Sequence, residues 1–245
     1  MSEVVVVDWA AWSPGIASRR DWESWAQDPR PLGHEGAPEV RFLPALQRRR
    51  CDRLSRMCLQ AVHDAVPEAL RGGLLSVFAS RHGSFENMAA MLCDLADGSP
   101  LSPNRFSHSV HNTQAGLFSI WAGNREASTC VAAGAETFGA GFLEGMGMLH
   151  RHPGAPLLLV VGDEPVPEPF DTLASGTGAY ALAFLLQNGD GDAEGTRVGL
   201  RFGPGEEGSL DAFVPDGLAF LRWLISDQES LRLAHPGRSW LFARG

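Results

Sequence analysis

Residues Gly134–Leu149 read GAETFGAGFLEGMGML, and few folds can accommodate such a segment. Phe138, Phe142, Met146 and Leu149 recur at helical spacing. The same helix carries Gly139, Gly141, Gly145 and Gly147, each costing up to about 1 kcal/mol relative to alanine. Such a helix persists only where packing compensates for its glycines. The segment is therefore expected in a central layer, with other backbone close against it.

The rest of the chain supplies that layer. Val4–Val7, Gly73–Ser80, Pro156–Gly162 and Gly178–Gln187 are short, nearly continuous apolar runs, the pattern of strands covered on both faces. Ser128–Ala133, Thr196–Phe202 and Ser239–Ala243 are further strand candidates. Leu46–Val66 has helical spacing, with Leu46, Leu54, Met57, Cys58, Ala61 and Ala65 on one face. Ser84–Asp97 reads as a helix with Ser84 as N-cap and Gly98 near its end. Phe106–Trp121 and Pro215–Ser226 read as helices, and the Pro- and Gly-bearing stretches Arg30–Pro38 and Ser99–Arg105 as loops. Strands alternating with helices imply a layered α/β fold with helices over a mixed sheet.

Composition narrows the function classes. Apolar residues make up 44% of the chain and charged residues 20%, enough for a sizeable core. All 20 basic residues are arginine, and the formal charge of −9 argues against nucleic-acid or membrane-surface binding. Cys51, Cys58, Cys93 and Cys130 form no CxxC pair, so neither a zinc knuckle nor a disulfide framework is expected, and a reducing cytosol is the simple setting. No run reaches the roughly 20 apolar residues of a membrane span. The run Val4–Val7 has no basic segment before it and reads as a strand rather than a signal peptide.

Several side-chain groups invite chemistry. His108 and His111 are three apart, one face of a helix, but no third ligand accompanies them and a metal site is not expected. Asp163–Glu164 ends an apolar run and reads as a strand-end loop. Gly189–Gly195, GDGDAEG, lacks the ligand set of a calcium loop and reads as a turn. Arg48, Arg49, Arg53 and Arg56 would suit an acidic partner, or equally a solvated face or internal ion pairs.

The middle third goes further. Ser102–Pro103, Asn112, Ala115–Gly116, Thr129–Gly139 and Leu158–Asp163 resemble, in order and spacing, the ketosynthase branch of the thiolase superfamily. Pro44–Ala61 resembles the ketosynthase-like subfamily found beside bacterial aryl-polyene genes. The resemblance covers roughly residues 1–187. It implies a thiolase-like layered α/β fold whose mixed sheet surrounds the glycine-rich helix. The N-terminal half, 1–187, would be complete, and 188–245 would be a shortened β-α-β segment packed on the same domain.

The resemblance also implies a site. The ketosynthase pattern is a small residue, cysteine, two small residues, glycine and a second glycine five positions on. With Gly134 and Gly139 as the pair, the nucleophile position falls on Val131, and Cys130 is one residue out of register. On a strand that shift turns a side chain to the opposite face, unless a bulge restores it. The two activating histidines of active ketosynthases have no counterpart. Only His235 follows Asn188, and SGTG at Ser175–Gly178 lacks the histidine. No catalytic residue, metal or cofactor is thus implied.

What the resemblance leaves is an inert chain-length-factor subunit, paired with an active β-ketoacyl-ACP synthase and meeting acyl carrier protein through the complex. Ser128, Thr129, Cys130, Val131, Ala132 and Ala133 would form the dimer seam. Phe106, Ser109, Val110, Asn112 and Thr113 would wall the acyl tunnel. Arg48, Arg49, Arg53 and Arg56 would offer a carrier-protein contact. The glycine-rich helix and apolar strands, lacking a second half to cover them, would leave apolar surface for the partner. The other readings are a divergent condensing or acyl-transfer enzyme using Cys130 and a self-associating structural protein.

Overall fold

The computed structural model describes residues 3–171, 178–205 and 214–245. An eight-stranded mixed sheet runs in the order β3-β2-β4-β5-β1-β6-β8-β7. The strands are β1 (Glu3–Trp12), β2 (Leu75–Ala79), β3 (Ser128–Val131), β4 (Leu157–Asp163), β5 (Tyr180–Asn188), β6 (Thr196–Pro204), β7 (Ser230–His235) and β8 (Arg238–Arg244). β2 is parallel to β3 and β4, and the other adjacent pairs are antiparallel. The sheet continues across residue 188, because β1 pairs with β5 on one side and β6 on the other.

Both faces are covered, which is why the central strands are apolar throughout. Leu157, Leu159 and Val161 of β4 enter one core; Leu158 and Val160 enter the other. The first core lies under α1 (Arg19–Gln27), α7 (Thr137–Arg151) and α8 (Asp216–Ile225). The second lies under α3 (Arg53–Ala65) and α6 (Thr113–Ala122). On β5 the first core receives Leu182, Phe184 and Leu186, whereas the second receives Ala181, Ala183 and Leu185, with Ala179 just before the strand. Small residues let α3 approach the sheet closely.

The glycine-rich helix is α7, and its glycines mark the close approaches. A Cβ at Gly141 would stand 3.0 Å from the Ala79 Cβ, and one at Gly145 3.2 Å from Leu157. One at Gly139 would lie 2.5 Å from the Trp240 ring. The expectation that this helix lies uncovered is corrected. Phe138 and Phe142 pack with Phe220 of α8 and Phe242 of β8 at centroid distances of 4.9–6.0 Å. All four are buried.

Two expected helices are broken. Leu46–Val66 splits into α2 (Ala45–Arg50) and α3, because the Asp52 carboxylate accepts from the Ser55 N–H and caps a new helix. Leu46, expected on the buried face, is 66% exposed. Phe106–Trp121 splits into α5 (Pro103–His108) and α6. There the Ser109 hydroxyl donates to the Phe106 carbonyl and the Thr113 hydroxyl to that of Val110, local bonds that compete with the helix. Helix α4 (Phe85–Ala96) forms as expected and is stopped by Gly98 at φ +66°. However, the Ser84 side chain does not cap it; it donates to Asp52 instead.

Candidate functional site

Among the described residues β3 is an edge strand, paired on one side only. Its register with β2 is unbroken from Ser76↔Ser128 to Ala79↔Val131. Cys130 therefore packs with the α3/α6 core and Val131 with the α7/α8 core. Burial pushes the Cys130 thiol above its ordinary value. Ser128, Ala132 and Ala133 are exposed, while Thr129, Cys130 and Val131 are half-buried.

The chain turns from β3 into α7 through Gly134, at φ +59°, which admits the left-handed turn without strain. At this helix start the molecule's own C-terminal hairpin closes in. The Trp240 indole N–H donates to the Glu136 carboxylate at 3.0 Å, and Arg238 lies 3.6 Å from its other oxygen. Nearby, Asp216 at the start of α8 contacts buried His235 at 2.7 Å. Burial raises the Asp216 pKa, and the His235 charge works against that rise. Nothing local in the sequence marks this cluster, since Glu136 and Trp240 are 104 residues apart.

A second polar cluster gathers at the carboxyl ends of β2 and β4. Asp163 accepts from the Ser80 hydroxyl, the Arg81 and His82 N–H groups and, at 3.4 Å, the Tyr180 hydroxyl. Desolvation nevertheless pushes it up to about 6. Glu164 is pushed up to about 7 by burial, against the pull of Arg53 at 2.9 Å. The pair is thus more than a strand-end loop: it ties β4 to the β2 loop and to α3.

The remaining candidates are dispersed. Phe106 is 62% exposed, Val110 and Asn112 are exposed, Ser109 is half-buried and Thr113 is turned into the body. Of the arginine cluster, Arg53 bonds Glu164 and the His34 carbonyl, and Arg56 bonds the Cys51 and Arg48 carbonyls. Arg53 and Arg56 are therefore engaged within the chain, while Arg48 is half-buried and Arg49 exposed. His108 and His111 straddle the break after α5 and do not share a helix face. His111 instead lies 3.2 Å from the Ser80 carbonyl. Among the described residues no group of side chains could hold a metal ion. In the turn at Gly189–Gly195 the Arg197 guanidinium already satisfies the Gly189 and Gly191 carbonyls. Ser175–Thr177 of the SGTG stretch lies outside the described residues. An open cleft of about 740 Å³ lies between α1, α8 and β7, at the sheet edge opposite β3.

The layered sheet, its edge strand β3 and the buried helix that follows it define a ketosynthase-like protein of the thiolase fold. The chain belongs to the family described as beta-ketoacyl synthase, N-terminal domain, whose model matches residues 22–243. A solved complex of the ketosynthase ApeO with its chain length factor ApeC, from Xenorhabdus doucetiae, contains a similar chain. The identity is 25% and the TM-score 0.80, over 98% of this chain and 99% of that one. The ishigamide ketosynthase/chain length factor matches at 16% identity and TM-score 0.67, over 81% of this chain and 67% of that one. A beta-ketoacyl synthase from Burkholderia phymatum matches at 16% and 0.64, over 83% and 65%. No curated protein matches the chain by sequence. No helix among the described residues is long and apolar enough to cross a membrane.

Proposed function

We propose that this chain is a non-catalytic, chain-length-factor-type subunit that pairs with an active β-ketoacyl-ACP synthase and shapes its acyl tunnel. The observation that carries the reading is the likeness, over nearly the full length of both chains, to a chain of a ketosynthase–chain length factor complex. The local chemistry supports it. A nucleophilic thiol needs a depressed pKa and an adjacent base. Burial instead raises the pKa of Cys130, and no hydrogen bond joins it to a histidine among the described residues. Val131, three places before Gly134, has no lone pair to offer a thioester.

All bond making then belongs to the partner. Loss of CO₂ from a carrier-bound malonyl group leaves a carbanion. That carbanion attacks the acyl thioester on the partner's cysteine, forming the C–C bond and expelling the thiolate. The exposed edge of β3, with Ala132 and Ala133 beyond it, offers a strand for the partner to extend in one continuous sheet. Phe106 and Val110 project outward, where they can wall a tunnel completed by the partner; each CH₂ buried there is worth roughly 0.8 kcal/mol. Arg48 and Arg49 are the groups left for an acidic carrier protein.

Co-expression with an active β-ketoacyl-ACP synthase from the same organism, followed by intact-mass analysis after cerulenin, tests this reading. Label on the partner alone, normal product from Cys130→Ala and shorter product from Val110→Trp are expected. Covalent label on Cys130, with loss of product in Cys130→Ala, establishes the enzyme reading instead.

A further inference from the structure

The covered state of α7 leaves another apolar surface to explain. Residues 85–108 form an arm of α4 and α5, and of α4 only Ala89 and Met91 are buried. Its outer stripe, Met88, Leu92 and Leu95, follows i, i+4, i+7 spacing, with Leu92 43% and Leu95 57% exposed. Leu101, Phe106 and Val110 add to it. A contiguous apolar patch on a helix marks an association site.

The arm is not loosely attached. Where it joins the body, the Asp52 carboxylate accepts from the Ser55 N–H at 2.8 Å, the Ser84 hydroxyl at 2.5 Å and the Asn87 amide at 3.1 Å. The Gln114 amide, at the start of α6, donates to the Ser84 hydroxyl at 3.0 Å. One carboxylate thus caps α3 and holds the root of α4, while α6 closes the same knot. At the far end Arg105 pairs with Asp94 at 3.1 Å and fixes α5 on α4.

We infer that the α4 stripe is a docking face for the partner synthase subunit, held at its angle by the Asp52 knot. The inference rests on the pairing proposed above. Area argues for it: a stable interface needs about 800 Å² from each side, more than a four-residue strand edge supplies. α6 links the two surfaces, since it leaves the arm and packs beside β3. Charge selects the occupant. The arm carries Glu86, Asp94 and Asp97 against Arg105, on a chain of net charge −9. A second copy would set like charges against each other, so the matching groove is apolar with a basic rim, on a different chain.

The test measures the Kd of the co-purified pair with an active β-ketoacyl-ACP synthase from the same organism. The double variant Leu92→Glu/Leu95→Glu is expected to weaken binding at least tenfold, and Met88→Gln severalfold. Leu70→Glu, at the opposite end of β2, should stay within twofold. Because the stripe is exposed, circular dichroism and Tm of the arm variants should match wild type. A wild-type pair that tolerates the double variant within twofold overturns the docking face and leaves the pairing standing. Failure of the wild type to form any pair overturns the pairing and the inference with it. Loss of a homodimer in place of a heterodimer overturns the choice of occupant.

Discussion

Helices α7 and α4 are both apolar, yet the molecule treats them oppositely. α7 lies under α8 and the β7–β8 hairpin, its phenylalanines interleaved with Phe220 and Phe242. α4 turns Met88, Leu92 and Leu95 to solvent and touches the body through a polar knot at its root. One helix is covered by other parts of its own chain; among the described residues nothing covers the outer stripe of the other. Apolar composition therefore does not locate an interface; what already covers it does.

The contrast can be broken most decisively in the aromatic core. Phe220→Ala is expected to cost about 3–5 kcal/mol in urea unfolding, because it leaves a void among Phe138, Phe142, Phe184 and Phe242. A cost below about 1 kcal/mol would mean that α7 is as open as α4.

The next effect is electrostatic. Asp163 and Glu164 hold protons in the folded state that the unfolded chain has released. The folded state then binds more protons, so the stability these two groups contribute is fully present below about pH 4 and is lost as pH rises through about 6 and 7. Each group contributes on the order of 2–3 kcal/mol across that window. Arg53 opposes the rise at Glu164, while Asp52 and Glu86 add to it. His82, whose pKa is lowered by burial and by Arg81, acts in the opposite sense on the acid side. Glu164→Gln isolates one share, and its urea midpoints between pH 4.5 and 7 should decline less than those of wild type.

Within α7 two glycines should part company. Gly139→Ala drives a Cβ into the Trp240 ring and is expected to destabilise by about 1–3 kcal/mol. Gly147→Ala meets only the Arg151 guanidinium at 3.4 Å and should stabilise by up to about 1 kcal/mol. Thermal melts of the two variants give the comparison directly. At the root of the arm, Asp52→Ala removes a helix cap and is expected to cost about 1–2 kcal/mol. Smallest of all, Leu95→Ser on the exposed stripe should move the isolated protein's stability by no more than about 0.5 kcal/mol.

Much of the fold was legible because its signals are local and redundant. The apolar runs at Val4–Val7 and Pro156–Gly162 admit little but buried strand. The glycines at 139, 141 and 145 announced a helix with close neighbours, which Trp240, Ala79 and Leu157 proved to be. Other elements were misjudged for physical reasons. Asp52 breaks a long helical pattern because a carboxylate that caps one helix start also ends what precedes it; the D-x-x-S spacing was the available signal. Helix α1 escaped notice because its charged residues hide the two tryptophans, Trp22 and Trp25, that anchor it. β7 was missed because an edge strand alternates weakly and pairs only with β8. Of the candidate site, the offset between Cys130 and Val131 followed from counting residues along a strand. The Trp240–Glu136 contact did not, since nothing within a local window relates those residues.

By itself the sequence determined the alternation of strands and helices, the buried glycine helix and the valine three places before Gly134, because each depends on spacing along the chain. Only the tertiary structure decided that α7 is covered while the outer stripe of α4 is exposed, that Arg53 turns inward to Glu164, and that the starts of three helices gather around one aspartate. Those outcomes depend on which distant segments arrive at the same place. Burial and charge pairing are properties of that meeting, not of the residues before they meet.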